Sequence, residues 1–157
     1  MKSWLGVVGL LCVVGCSSDD ADDEAKASPY DALYTPAAIA TADTAKIDGL
    51  WETTLVNGEV TSQARIQFKD GKIQFASRCT GPGYETVTVG VTVSATWADS
   101  KITVSDPGGQ DQKTSNGPTG KPPLVCVAKL TGPGSTSYSL GDSKLQTLGF
   151  SFTKITD

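Results

Sequence analysis

The stretch ARIQFKDGKIQFASRC, residues 64–79, sharply restricts what this chain can fold into. Ala64, Ile66 and Phe68 alternate with Arg65, Gln67 and Lys69; Asp70-Gly71 interrupts; Ile73 and Phe75 then alternate with Lys72, Gln74 and Arg78. A period of two sends successive side chains to opposite faces of a strand. Asp-Gly between two such runs favours a type I′ turn, in which both central residues need positive φ. A hairpin with one apolar and one wet face is predicted. Residues 86–97, TVTVGVTVSATW, alternate again, with Val87, Val89, Val91, Val93, Ala95 and Trp97 on one face and Gly90 predicting a bend or bulge. Further strands are predicted over 50–56, 101–104, 124–130, 137–140, 144–148 and 150–155. Neighbouring strands with one apolar face each fit an antiparallel barrel or sandwich. About eight strands close a barrel whose interior is filled or holds one small ligand. The fold class expected is therefore all-β, a small antiparallel up-and-down β-barrel over residues 46–157.

The first 45 residues follow different rules. Lys2 and the eleven-residue apolar run Trp4 to Val14 have the charge and length of a signal peptide, residues 1–15. The run is too short for a membrane span, which needs ~20 apolar residues. Val13-Val14-Gly15-Cys16 resembles the bacterial lipobox, which implies cleavage before Cys16 and acylation of that cysteine. Two or three acyl chains anchor a protein to a membrane where one does not. Ordinary secretory cleavage, leaving a free thiol, is the alternative. Ser17 and Ser18 after the cysteine imply, by the same resemblance, export to the outer membrane of a Gram-negative cell envelope. Residues 16–45 read as an acidic, disordered tether. Between Ser17 and Ala45 lie seven Asp or Glu against Lys26 alone, whereas Lys46 to Asp157 holds eleven Lys or Arg against ten Asp or Glu. Like-charge blocks poor in apolar residues stay solvated and extended. DDADDE, residues 19–24, lacks the alternating carboxylates and glycine of an EF-hand calcium loop, so no metal is expected there. Thr35 as N-cap and Pro36 at the first helical position predict a short helix to Ala42 at the tether's end.

Gly49-Leu50-Trp51 resembles the G-x-W signature of lipocalins and of bacterial lipocalin-like lipoproteins, and YSLGDSKLQTLGFSFTKI resembles their closing strands, with Tyr138, Leu140, Asp142 and Leu145 in similar spacing. The resemblance implies a plug at one barrel end, made by Gly49 and Trp51 with Lys154 in place of the family's late arginine. It also implies a small hydrophobic ligand inside, for which Phe68, Phe75, Val89, Val91, Trp97 and Tyr138 are the candidate lining. The alternative is a solid core, with an envelope interaction module or protease-inhibitor-like barrel working through its outer surface.

Four cysteines are present. Cys12 belongs to the signal peptide and Cys16 to the anchor, which leaves Cys79 and Cys126 to pair in an exported, oxidising setting. The chain has no histidine, no G-x-S-x-G and no P-loop, so the commonest general base and hydrolase triads are missing. Asp and Glu fall mostly at turns or on wet faces. No enzyme activity and no cofactor are expected, and without a basic cluster no nucleic acid either. Residues 105–123, SDPGGQDQKTSNGPTGKPP, are almost devoid of apolar side chains and are expected to be a disordered loop.

Overall fold

The structure, a computed structural model, describes residues 13–14, 27–35, 45–141 and 144–156. The leading hairpin forms as its sequence dictates. β3 (Val60–Lys69) and β4 (Lys72–Thr80) pair antiparallel from Thr61↔Thr80 to Lys69↔Lys72. Asp70 and Gly71 take φ of 50° and 71°, the two positive values that a type I′ turn needs. Before this hairpin come β1 (Val13–Val14) and β2 (Gly49–Asn57). After it come β5 (Val87–Ala98), β6 (Lys101–Val104), β7 (Gly108–Ser115), β8 (Leu124–Thr131), β9 (Gly134–Gly141), β10 (Lys144–Thr147) and β11 (Phe150–Thr156).

Eight of these strands close a barrel in the order β10-β11-β2-β3-β4-β5-β6-β9, each neighbour antiparallel. The topology is up-and-down with one excursion, the β7–β8 hairpin inserted between β6 and β9. A second sheet, β1-β8-β7, contains that hairpin and the end of the apolar leader, with Val13 opposite Val125 and Val14 opposite Leu124.

The excursion corrects the expectation of a disordered loop over 105–123. Gly108–Ser115 is a strand paired along β8 from Gly108↔Thr131 to Ser115↔Leu124. Its conformation does not come from apolar patterning. β5 has twelve residues but β6 only four, so the first half of β5 lacks a backbone partner on that side. Carboxylates next to or on β7 supply the acceptors instead: Gly90 N donates to Asp111 Oδ2 at 2.9 Å and Ser94 N to Asp106 Oδ2 at 2.6 Å.

β8 alternates cleanly, and Leu124, Cys126, Ala128 and Leu130 are buried in the same cluster as Phe68, Phe75, Cys79, Val89 and Val93. The hairpin therefore folds over the barrel end where β4 finishes and β5 begins, and fills it. The Cys79–Cys126 disulfide, Cα–Cα 5.8 Å, ties β8 to β4 as expected. The expected bulge at Gly90 is absent, since β4 and β5 keep one continuous register through Ala76↔Gly90. The shift in pairing falls on β11 instead, between Lys154 and Thr156. The short helix expected from Thr35 to Ala42 lies outside the described residues beyond Thr35, which ends a 3-10 turn over Asp31–Tyr34.

The disulfide closes a separation of 47 residues, a loop for which chain entropy stabilises the fold by ~2–4 kcal/mol after native strain is subtracted. Reducing it should lower the melting temperature by about 10 °C or more. Thermal denaturation by circular dichroism with and without reductant measures this, and thiol titration of the unreduced chain should find neither Cys79 nor Cys126 reactive.

Candidate functional site

The interior leaves the predicted ligand residues little to do as a cavity lining. Phe68, Phe75 and Val89 are fully buried, Val91 nearly so, and all four pack in one cluster with the inward face of β8. Trp97 stands edge-on to Phe68, centroids 5.4 Å apart, and donates through Nε1 to Asp48 Oδ1 at 3.2 Å. The space that a small apolar ligand would take is taken by protein side chains.

The residues expected to form a barrel-end plug make the following contacts. Trp51 is fully buried, its Nε1 donating to Ile47 O at 2.7 Å, and Gly49 opens its strand with φ 112°. Lys154 lies opposite Trp51 in the β11–β2 register, with Nζ 5.3 Å from the ring centroid and donating to Lys46 O at 3.2 Å. A cation over an aromatic face is attracted by the ring quadrupole. The buried lysine thus closes this end by both charge and hydrogen bonding.

Two features of the outer surface escaped the sequence reading. The first is a strap. Residues 27–35, counted above with the tether, lie on the outer wall of β3, β4 and β5. Tyr30 covers Gly90, where a Cβ would collide with the ring, and its hydroxyl meets Thr92 Oγ1 at 3.3 Å. Leu33 packs with Leu50, Ala76 and Ile155 in a small cluster outside the barrel. Tyr34 lies between two guanidinium groups, Arg78 at 4.0 Å and Arg65 at 5.0 Å from its centroid, and its hydroxyl donates to Gln63 O at 2.7 Å. Arg65 is itself buried, donating to Leu33 O at 2.6 Å and to Glu52 Oε2 at 2.7 Å. Arg78 donates to Asp31 Oδ1 at 2.9 Å. Burial alone would raise the Asp31 pKa, but hydrogen bonds from Thr88, Arg78 and the Ser28 amide, with the Arg78 charge, outweigh it and hold the carboxyl below its ordinary value. Desolvation pushes the Tyr34 phenol far above its ordinary value. The spacing of Tyr30, Leu33 and Tyr34 in an otherwise polar tether was the available signal for this contact.

The second feature is an open groove of about 730 Å³ along β9, β10 and β11, lined by residues 136–139 and 146–151. Its size falls within the ~300–1,000 Å³ of small-molecule sites. Around it, Tyr138, Thr147 and Phe150 form one row on the inward face shared with Leu145 and Phe152, whereas Ser139, Gln146 and Ser151 form the alternate, outward row; none of the described lining residues is charged. The β10–β11 turn at its edge uses Leu148 and Gly149 with φ of 55° and 82°. Thr147 is already engaged, donating to Ser137 O at 3.2 Å. Tyr138 is the one predicted ligand residue that lines the groove. In the closed strand order, β9 and β10 lie diametrically across the barrel from β3 and β4, so the groove and the strap occupy opposite walls.

Among the described residues no three His, Cys, Asp or Glu side chains come together as a metal site. Cys16 and the carboxylates at 19–24 lie outside the described residues, as does Asp142. No known protein family, curated protein or solved structure matches this chain.

Because the folded Asp31 pKa is depressed, its contribution to strap docking is complete above the ordinary carboxylate pKa of about 4 and is lost as pH falls through the lowered value. The pair is partly exposed, so the effect is confined to the strap. The protection factors of residues 28–35, exchange rates normalised to the intrinsic rate at each pH, should fall at pH 3 relative to pH 6 while those of β8 stay high. Tyr34→Ala should produce the same selective loss of protection at pH 6.

Proposed function

We propose that this chain is a non-enzymatic, lipid-anchored module of a bacterial cell envelope, a lipocalin-like barrel with a solid core that acts through its outer surface at the β9–β11 groove. The observation that carries the reading is the opposition of strap and groove across a filled barrel. If Cys16 bears the acyl chains, twelve positions separate it from Ser28, where the strap begins. A flexible coil of that length reaches ~20 Å on average and ~40 Å when fully extended. The strap wall is then held toward the bilayer and the groove faces away from it. Asp19, Asp20, Asp22, Asp23 and Glu24 fall in this short linker and keep it off an anionic lipid surface.

The non-enzymatic part of the reading draws on how the carboxylates are used. Glu52 and Asp31 hold arginines, Asp48 accepts from Trp97, and Asp106 and Asp111 accept from β5 amides. Groups committed to fixed structural bonds are poorly placed to shuttle protons. An apolar molecule inside the barrel would have to displace the disulfide-tied β8, which favours the surface reading over the interior-ligand one.

Metabolic labelling with a fatty-acid analogue should mark the wild-type chain and leave Cys16→Ser unlabelled. With the acylated chain in liposomes carrying a headgroup energy acceptor, a fluorophore at position 67 on the strap wall should transfer more efficiently than one at position 139 in the groove. Equal transfer, or the reverse order, overturns the orientation, and label retained in Cys16→Ser overturns the anchor.

A further inference from the structure

We infer that the edge of β8 facing away from β7 is a strand-docking site whose occupant is the chain's own leader: Val13–Val14 fill it in the unprocessed chain, and cleavage before Cys16 opens it. The inference rests on the reading of residues 1–15 as a cleaved leader and concerns a different surface from the β9–β11 groove. β7 pairs with β8 along its whole length, from Gly108↔Thr131 to Ser115↔Leu124. On its other side, among the described residues, β8 is paired only at Leu124 and Val125, by Val14 and Val13. Val14 stands two residues before Cys16, so a cut at that cysteine detaches the whole of β1. The unprocessed and the processed protein then differ in one surface, closed before cleavage and open after it.

The edge that cleavage leaves suits an incoming strand. A row of unpaired amides and carbonyls is a template for another chain, and exposed edges are ordinarily blunted by a lysine, a proline or a bulge. β8 has none of these between Leu124 and Ala128, where its sequence is LVCVA and its register with β7 is continuous. The blunting residues flank the stretch instead, Pro122 and Pro123 before it and Lys129 after, which confines the edge to five residues. Leu124, Cys126 and Ala128 are buried in the core, and Cys126 is bonded to Cys79, so the edge is fixed before any partner arrives. Only the incoming strand has then to be ordered on docking. Val125 and Val127, on the alternate positions, are half-buried, so a strand laid along this stretch meets no charge. The fitting segment is extended, uncharged, β-branched and antiparallel to β8, which is what Val13 and Val14 supply.

The test compares two full-length chains in a zwitterionic detergent, both kept uncleaved by Cys16→Ser, one otherwise native and one also carrying Val13→Asp and Val14→Asp. The probe is a peptide of residues 10–15 with serine at position 12 and a lysine pair at its C-terminus. Whichever amide of Leu124 and Val125 points toward β1 should be protected from exchange about tenfold more in the native-leader chain than in the double-Asp chain, with the β7–β8 amides and the melting temperature equal in the two. The peptide should shift the amide resonances of residues 124–128 in the double-Asp chain, saturating at about millimolar concentration, and should bind the native-leader chain about tenfold more weakly. A peptide N-methylated at both valines keeps the side chains but loses the backbone donors, and should leave the resonances unmoved. Equal protection in the two chains, no saturable shift from the peptide, or undiminished binding of the N-methylated peptide overturns the inference. A dimer of the double-Asp chain joined through residues 124–128, with no response to the peptide, assigns the edge to a second copy and overturns it likewise. Both chains are uncleaved, so these outcomes are independent of acylation, and the mass of the exported wild-type chain decides the cleavage reading separately.

Discussion

The inward face of β8 is the contact on which the rest of this structure depends. Twelve residues of β5 meet only four of β6, so a barrel made of the eight closing strands alone would be open along one side of β5 and at the end where β4 stops. Leu124, Cys126, Ala128 and Leu130 fill that end, and the Cys79–Cys126 bond ties β8 to β4 there. Each fully buried aliphatic side chain adds ~1.5–3 kcal/mol of apolar burial. The same insertion decides how the interior is occupied. A barrel filled from one end by its own hairpin, with Trp51 and Lys154 packed together inside the β11–β2 pair, is what the surface reading proposed above draws on.

The barrel was legible because its signals are local. Alternation from Ala64 to Phe75 and the Asp70-Gly71 pair specify a hairpin without reference to anything distant, and the register follows. The cysteine pairing was legible by elimination. What the sequence did not carry was β7. Gly108–Ser115 has no apolar residue, and its strand conformation is imposed by β8 on one side and by amides of β5 on the other. A strand whose reason for existing lies in partners tens of residues away leaves no period to read. The site was hidden for a similar cause. The alternation correctly directed Phe68, Phe75 and Val89 inward, but periodicity states which way a side chain points, not whether the space it points into is already occupied. Tyr138 does face inward, in one row with Thr147 and Phe150, but it is only half-buried and packs at the margin of the core, where the groove begins.

The strap shows how a weakly apolar segment can be seated on a sheet. Leu33 alone buries too little to order nine residues, and the arginines complete the arrangement. Arg65 and Arg78 bracket one phenol ring, and each also reaches strap groups, Leu33 O and Asp31, by hydrogen bond. Guanidinium suits this double role, being planar enough to stack and forked enough to bond at the same time, which an ammonium cannot do. The Arg65–Glu52–Gln63 network beneath keeps the buried charge paired.

Gly90 has a consequence of a different kind. It occupies a regular position, the fourth of twelve, in the longest strand, where backbone geometry asks nothing special of it and β-branched residues sit on either side. Its missing side chain is required only because the ring of Tyr30 lies on it. Two positions sixty residues apart are thus bound to each other's size. A lineage that kept the strap could not let residue 90 drift, whereas one that lost the strap would free it at once to become valine or threonine like its neighbours. In any collection of chains descended from a common ancestor with this one, glycine at that place and an aromatic four residues ahead of Tyr34 should be gained and lost as a pair. Their joint presence would mark the strap in chains whose tethers share no other residue.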